Sequence, residues 1–293
     1  MTHAFLILVH KDLEKLIPLV EYFSKDCIVF IHIDKKCAIE EDIMRRLKIY
    51  PWVHIMVKQY DIHWGGFSML KAELSLFPMI LSACRTDYVH LISGQDFPIK
   101  PLATFLQYFD KCEERNFIEY QPYPFDTPEP EIYSRGKYIL PYDFVDGRSS
   151  QGFSIVCQWV NKQKRHREQR ANGCPFPLRY KGSQWFSVTY NAMQRLLDYT
   201  QRHPSFCLSL RYTFAPEEIY MPTVWANILP TGSIVANNLR YIRWSQENGN
   251  CPANLGIEHY ADITSSLAFF ARKMQPPYCE ALINAINQNL LTK

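Results

Sequence analysis

Short apolar runs alternate with segments of helical period along the first 120 residues. A continuous run such as Ala4–Val9 is typical of a strand covered on both faces, whereas apolar positions that recur every three or four residues indicate an amphipathic helix. The predicted strands are Ala4–Val9, Cys27–Ile33, Val53–Val57, Asp87–Ile92 and Phe117–Tyr120, and the predicted helices are Leu13–Phe23, Glu40–Leu47, Phe67–Cys84 and Pro101–Tyr108. This alternation predicts an α/β protein with a mainly parallel sheet.

The pattern changes in residues 121–180, where four prolines fall between Pro122 and Pro130 and periodicity is lost. We expect a loop-rich insertion there that shapes a pocket. Regularity then returns, with predicted helices at Thr189–Tyr199, Glu217–Ile228 and Pro277–Asn289 and predicted strands at Ser233–Ala236 and Leu239–Ile242. The chain, 1–293, is therefore expected to be a single domain built from 1–120, the insertion 121–180 and 181–293.

Composition excludes several classes of protein. The net charge of the 293 residues is only +3, which gives no reason to expect a nucleic-acid partner. The nine cysteines include no CxxC pair, so a zinc ribbon or a thioredoxin motif is not expected. No apolar run is long enough to cross a bilayer, and the sequence predicts a soluble, cytosolic protein. Aromatic residues make up 14% of the chain, which is compatible with a protein that handles sugars.

Polar residues follow several of the predicted strands. His10, Asp34 and Asp96 each come at or just after a strand end, where ligands bind in parallel sheets. The sequence contains neither GxGxxG nor GxxxxGK[ST], so the usual phosphate cradles are absent. Asp34 has two interpretations of equal weight at this point, a ligand for a ribose hydroxyl or base N–H and a loop residue that caps the next helix.

Two charged pairs have an ordinary structural explanation and a functional one. Glu217-Glu218 opens a predicted helix, where acidic residues are favoured, but adjacent carboxylates also suit a general base. Arg272-Lys273 follows an apolar pair and either snorkels or neutralises a diphosphate. Taken alone, each pair favours the structural explanation.

Seven segments in a fixed order carry a more specific signal. Together they resemble the β-1,6-N-acetylglucosaminyltransferases that branch glycans, the core-2 type, and the related peptide O-xylosyltransferases. The resemblance covers about residues 4–274 but not 121–180. The segments are Leu8-Val9-His10, Ile31–Lys36, Trp64–Ser68, Ser93–Ile99, Gly182–Phe186, Pro216-Glu217-Glu218 and Phe270–Lys273.

The resemblance implies a GT-A type glycosyltransferase fold, in which a Rossmann-like nucleotide-binding sheet, here 1–120, is fused to an acceptor-binding half, here 181–293. It implies an inverting transfer from a UDP-linked sugar. Family members lack the DxD metal motif, and the corresponding segment here, Ser93–Pro98, lacks it too. We therefore expect no metal ion and no other cofactor.

The resemblance also assigns roles to individual residues. The base falls on Glu218, while Glu217 replaces the family's Asp and leaves a one-residue ambiguity. Lys273, with Arg272 beside it, matches the lysine that binds the donor diphosphate. The family's upstream arginine has no counterpart at its usual place, and Arg243 or Arg240 is a candidate substitute.

Further positions are assigned to the two substrates. Leu8, His10 and Asp34 match the donor site, and Trp244 matches an acceptor-side tryptophan whose ring can stack on a sugar. The junction of donor and acceptor is bordered by Asp96, Gln184 and Trp185, although Trp185 also fits a core position and Asp96 a turn.

The implied partners are a UDP-sugar donor, with N-acetylglucosamine the expected sugar, and a glycan or glycolipid acceptor. We expect a bacterial, cytosolic enzyme that builds a surface glycan. The basic run Lys162–Arg170 is either a solvated helix face, the favoured interpretation, or a contact with an anionic membrane. The alternative functions are a xylosyl- or other hexosyltransferase, a catalytically silent glycan-binding protein of the same fold and, less favoured, a glycoside hydrolase, which needs two carboxylates.

Overall fold

The computed structural model describes residues 1–23, 26–57, 59–83, 86–124, 128–166 and 173–291. The strands are β1 His3–Val9, β2 Cys27–Ile33, β3 Val53–Val57, β4 Tyr88–Ser93, β5 Phe97–Pro98, β6 Asn116–Pro122, β7 Tyr180–Thr189, β8 Ile234–Val235, β9 Arg240–Ile242 and β10 Phe270–Arg272. The helices are α1 Leu16–Tyr22, α2 Glu41–Leu47, α3 Phe67–Ala83, α4 Leu102–Phe109, α5 Ser150–His166, α6 Tyr190–Arg202, α7 Pro204–Ser209, α8 Glu217–Ile228, α9 Tyr260–Ser265 and α10 Glu280–Ile286.

A mixed sheet forms the centre of the molecule. Within the described ranges it has seven strands in the order β3-β2-β1-β4-β7-β6-β8. The first four are parallel, and β7 is antiparallel to both of its neighbours. The predicted α/β class and parallel strand group are therefore confirmed, with β7 as the exception.

The central strand β1 is covered on both faces, as its continuous apolar run predicts. Ala4, Leu6 and Leu8 belong to one hydrophobic core, whereas Phe5 and Ile7 belong to another on the opposite face. Such alternation follows from the two-residue period of a strand. Helices α3, α6 and α8 cover the first face, and α1, α2 and α4 cover the second.

The segment 121–180 contains more regular structure than its sequence predicts. It includes the 17-residue helix α5, which packs Val156 and Val160 into a small core with Tyr142 and Phe214. It also leads into β7, a ten-residue strand that the sequence pattern did not reveal. The C-terminal helix is shorter than predicted, because α10 ends at Ile286 and a π-helical turn follows to Leu291.

His3 on β1 and His90 on the neighbouring strand β4 are both buried. The Nδ1 of His3 lies 3.0 Å from the Nε2 of His90, and the Nδ1 of His90 lies 2.8 Å from the Oγ of Ser187. Burial lowers the pKa of His3 to about 4 and the pKa of His90 well below its ordinary value. Both imidazoles are therefore neutral in the folded protein at pH 7.

This burial predicts a loss of stability in mild acid. Between pH 6.5 and 4 the unfolded chain binds protons at His3 that the folded chain excludes, so the free energy of unfolding decreases by about 3 kcal/mol from this group alone. Urea midpoints measured across this range should decrease less steeply for His3→Phe than for the unmodified protein. The exposed His203 provides the control, as His203→Gln should keep the original slope. Equal slopes in His3→Phe and the unmodified protein would contradict the expectation.

Candidate functional site

The carboxyl ends of β1, β2 and β4 meet at one edge of the sheet. The backbone N–H of Asp34 donates to the carbonyl of Val9 at 2.8 Å, and that of Gly94 donates to the carbonyl of Leu8 at 3.0 Å. Leu8, His10 and Asp34, three of the predicted donor-site residues, are therefore brought together by the parallel strands. This edge is where α/β sheets bind ligands.

Asp34 is buried and shapes the loop after β2. Its Oδ1 accepts the backbone N–H of Lys36 at 2.8 Å, and its Oδ2 accepts that of Ile62 at 3.3 Å. Asp34 is therefore a loop residue, but it does not cap the next helix, whose N-cap is Glu40. Each carboxylate oxygen keeps a second lone pair, so these bonds leave room for a nucleoside contact. Its donor-site role stays a prediction.

A cluster of cations lies at the same edge. The charges of Arg148 and Lys11 act on both His10 and Lys273. Burial and these cations, with Arg272, lower the pKa of Lys273 to about 8. In the described ranges, no carboxylate forms an ion pair with the ammonium of Lys273. Although Arg148 pairs with Asp146, the ammonium of Lys273 has no such partner in these ranges, and a cation of this kind beside further cations is suited to an anionic ligand.

Arg272 lies in the interior beside two predicted acceptor-side residues. It is 7% exposed, its Cζ lies 3.8 Å from the ring centroid of Trp185, and its Nη1 lies 4.0 Å from the Oδ2 of Asp96. Asp96 is itself bound by the backbone N–H and the hydroxyl of Ser93. The three residues thus form a buried stack beside Lys273, and their substrate contacts stay predictions.

The two arginines predicted as substitutes for the family's upstream arginine are otherwise engaged. Arg240 is buried and donates to the carbonyls of Leu91 and Phe186 at 2.9 and 2.8 Å. The Nε of Arg243 lies 3.2 Å from the Oε1 of Glu247 on the surface. Arg148, in the segment 121–180, also acts on Lys273 although no sequence motif marks it, and the donor-site roles of Arg240 and Arg243 stay predictions.

Trp244 is presented to solvent on a loop that is fastened to the strand end. The indole residue is 66% exposed. The backbone N–H of Ala253 donates to the carbonyl of Arg243 at 2.9 Å, and that of Leu255 donates to the carbonyl of Lys273 at 2.9 Å. An exposed ring held in this way is available for stacking on a sugar.

Glu217 and Glu218 open helix α8 in different environments. The Glu218 side chain is 25% exposed, and its Oε2 lies 2.7 Å from the Nη2 of Arg135. Glu217 is only 4% exposed, and its Oε2 has no hydrogen-bond partner in the described chain. Burial and Glu218 raise the pKa of Glu217 to about 8, whereas burial raises the pKa of Glu218 against the opposing charges of Arg135 and Lys181. Of the two, Glu218 has the more exposed side chain, and its role as the base stays a prediction.

The Trp64-Gly65-Gly66 motif positions the start of α8. Gly65 has φ of +71°, and a Cβ there would lie 2.5 Å from the ring of Phe214. The carbonyl of Gly65 accepts the backbone N–H of Ala215 at 2.9 Å, two residues before Glu217. A glycine is therefore needed for this close approach.

Gln184 contacts a buried carboxyl group that no sequence motif marks. Its Nε2 donates to the Oε1 of Glu73 at 2.8 Å. Glu73 lies on the buried face of α3, and burial together with the charge of Glu217 raises its pKa well above the ordinary value. A glutamate on the apolar face of a predicted helix was the available signal.

No group of three or more His, Cys, Asp or Glu side chains in the described ranges is arranged to hold a metal ion. Within the same ranges, no helix has both the length and the apolar character that crossing a membrane requires.

The predicted basic run falls partly on α5, where Lys162, Lys164 and Arg165 are exposed. The Nζ of Lys164 lies 2.5 Å from the Oε2 of Glu131. Arg167 and Arg170 lie outside the described residues.

A cationic cluster at the carboxyl edge of an α/β sheet is typical of proteins that bind phosphorylated ligands. The sequence matches the Core-2/I-Branching enzyme family over residues 3–267. The chain therefore belongs to this family. Membership, together with the mixed sheet, agrees with the GT-A type fold that the motifs predict.

Its relatives are distant. The chain is 22% identical to a xylosyltransferase of Ciona intestinalis over 98% of its own length and 34% of that protein. It is 24% identical to a human N-acetyllactosaminide β-1,6-N-acetylglucosaminyltransferase over 93% of its length and 68% of that protein. The chain thus spans about a third of the xylosyltransferase. Among solved structures, S. aureus TarS resembles it with a TM-score of 0.31 and 13% identity over 48% of this chain and 25% of TarS, which is too distant to support a conclusion.

Proposed function

We propose that the protein is an inverting, metal-independent glycosyltransferase that moves N-acetylglucosamine from a UDP-sugar to a hydroxyl group of a glycan or glycolipid. The observation that carries this proposal is the ammonium of Lys273, which has no carboxylate partner in the described chain and lies among other cations at the carboxyl edge of the sheet. Two relatives named for transfer of N-acetylglucosamine and of xylose support the reaction class. Xylose or another hexose is the alternative donor sugar.

The proposed mechanism uses one base. Glu218 takes the proton of the acceptor hydroxyl as its oxygen attacks the anomeric carbon. The bond from that carbon to the diphosphate breaks, and UDP leaves with the electron pair. Lys273, assisted by Arg148 and Lys11, stabilises the charge that develops on the diphosphate. Residues 1–120 bind the nucleotide sugar, 121–180 contribute to both sites, and 181–293 supply the acceptor side and the base.

Binding of the donor can be tested by thermal shift. UDP and UDP-N-acetylglucosamine should raise the melting temperature in the presence of EDTA, because protein cations take the place of a metal ion. Uridine, which lacks the diphosphate, is the control and should give a much smaller shift. A shift that appears only after Mn²⁺ or Mg²⁺ is added would contradict metal independence. No shift with any UDP compound would contradict the donor.

We also propose that the enzyme acts in the cytoplasm at the inner face of the cell membrane. The support is the exposed basic side chains Lys162 and Arg165 on α5, and their solvated-face interpretation remains the alternative. Sedimentation with vesicles that contain anionic lipid should then show binding that weakens with salt. Equal binding to neutral and anionic vesicles, or none, would contradict membrane contact.

A further inference from the structure

The carboxylate of Glu218 is held by a side chain from the segment 121–180. The Nη2 of Arg135 donates to the Oε2 of Glu218 at 2.7 Å, while its Nη1 donates to the Oε1 of Glu129 at 2.7 Å. The backbone N–H of Arg135 also donates to the Oε2 of Glu129 at 3.0 Å. The guanidinium therefore lies fixed between two carboxylates, and its side chain is only 8% exposed.

Contacts on other sides limit the motion of Arg135. Its Cζ lies 5.1 Å from the ring centroid of Phe214, a residue that shortly precedes α8 in the chain. Its carbonyl accepts the Nη1 of Arg179 at 3.0 Å. Both the guanidinium and the backbone of Arg135 are thus held, so the position of Glu218 Oε2 is set by packed groups.

The second oxygen of Glu218 is left open. Across the described ranges, Oε1 makes no hydrogen bond with the chain, and the side chain keeps partial exposure. An ion pair on one oxygen and none on the other gives the carboxylate a defined orientation. Oε1 is consequently the atom that an acceptor hydroxyl can approach.

Glu129 changes the charge around this carboxylate. Arg135 alone favours the ionised form of Glu218 and so weakens it as a base, whereas the negative charge of Glu129 opposes that effect. The trio carries a net charge of −1 when all three groups are ionised and is neutral once Glu218 is protonated. Other charged groups that act on or are acted on by Glu218 include Lys181 on β7, Glu119 on β6, Glu73 on α3 and Glu217 on α8.

We propose that Arg135 and Glu129 are positioning residues for the base: Arg135 holds Oε2 of Glu218 so that Oε1 faces the acceptor hydroxyl, and Glu129 balances the charge of Arg135 so that Oε1 takes up the proton. This inference rests on the proposed function, in which Glu218 is the base. The proton passes from the acceptor oxygen to Oε1 while that oxygen bonds to the anomeric carbon and UDP departs with the electron pair.

Opposite charge changes should move the acid limb of the pH–kcat profile in opposite directions. Glu129→Gln removes a negative charge and should shift the limb to lower pH by about one unit, whereas Arg135→Gln removes a positive charge and should shift it to higher pH by about one unit. Arg135→Gln should also lower kcat at the optimum about tenfold to a hundredfold through misplacement of the base. Donor KM should stay within about twofold in both variants, because neither residue belongs to the cation cluster.

Glu131→Gln is the matched control, since Glu131 pairs with Lys164 in the same segment rather than with Arg135, and its profile should be unchanged. Arg135→Lys keeps the charge and should keep the limb in place. Limbs that stay put, or move in the same direction, in Glu129→Gln and Arg135→Gln would overturn the inference. If Arg135→Gln does not fold, the other two variants are the test. An unmoved limb in Glu129→Gln or a shifted limb in Arg135→Lys would then overturn the inference. Full turnover in Glu218→Gln would instead overturn the assignment of Glu218 as the base, and with it the proposed mechanism.

Discussion

Glu218→Gln is expected to lower kcat by about a hundredfold to ten-thousandfold, the usual contribution of a general base. The amide has nearly the shape of the carboxylate but cannot accept the proton of the acceptor hydroxyl. Binding of UDP should be unchanged, because the cation cluster around Lys273 is left intact. Initial rates of sugar transfer and calorimetric titration with UDP measure the two quantities separately.

Glu217→Gln resolves the one-residue ambiguity in the motif. Glu217 is buried and its pKa is raised to about 8, so it is mainly protonated at pH 7 and the substitution resembles its neutral form. Its effect on kcat should therefore be much smaller than that of Glu218→Gln. An inactive Glu217→Gln beside an active Glu218→Gln would reverse the assignment.

Lys273→Met is expected to lower kcat/KM by about a hundredfold to a thousandfold, since it removes one preorganised charge from the departing diphosphate. UDP affinity should decrease as well, whereas binding of uridine should change little. The exposed Lys48, at the end of α2, provides the control, and Lys48→Met should retain full activity. Unchanged kcat/KM in Lys273→Met would contradict the leaving-group role.

The same lysine predicts the alkaline side of the pH profile. The pKa of Lys273 is lowered to about 8, so in the free enzyme its ammonium is charged below that pH and loses its proton above it. The value of kcat/KM, which reports the free enzyme, should decrease as the pH rises through about 8. Lys273→Arg keeps its charge and should move this decrease to higher pH. If the alkaline limb is identical in the unmodified protein and in Lys273→Arg, the limb belongs to a group other than Lys273.

The sequence predicted the elements whose pattern is strong. The run of β1 reads as a doubly covered strand because both of its faces are apolar, and the structure confirms this. Most of helix α5 was missed, although the basic run at its end was interpreted as a helix face, because the buried stripe rests on few apolar residues, chiefly Val156 and Val160, and includes the polar Gln163. Strand β7 begins with Tyr180-Lys181-Gly182, which has no clear alternation, and its place depends on pairing with β4 and β6.

The candidate site, like the fold, has a part that the sequence predicts and a part that it does not. Strand ends predicted a ligand site near His10 and Asp34, because parallel strands place their carboxyl ends at one edge, and the family resemblance added Leu8. The ion pair between Arg135 and Glu218 joins residues 83 positions apart, and nothing local in either segment indicates it. Arg272 is buried, whereas the adjacent Lys273 is only partly buried. Nothing in the local sequence indicates this difference between the two cations.

The two ion pairs of Arg135 set a condition for protein engineering. Segment 121–180 is the natural target for anyone who wishes to redirect such an enzyme to a new acceptor by exchanging loops with a relative. Because that segment also supplies Arg135 and Glu129, a simple exchange would remove the ion pair that holds Glu218 and the carboxylate that balances the charge of Arg135. A chimera should therefore transplant the surrounding loop while retaining both residues at their present spacing.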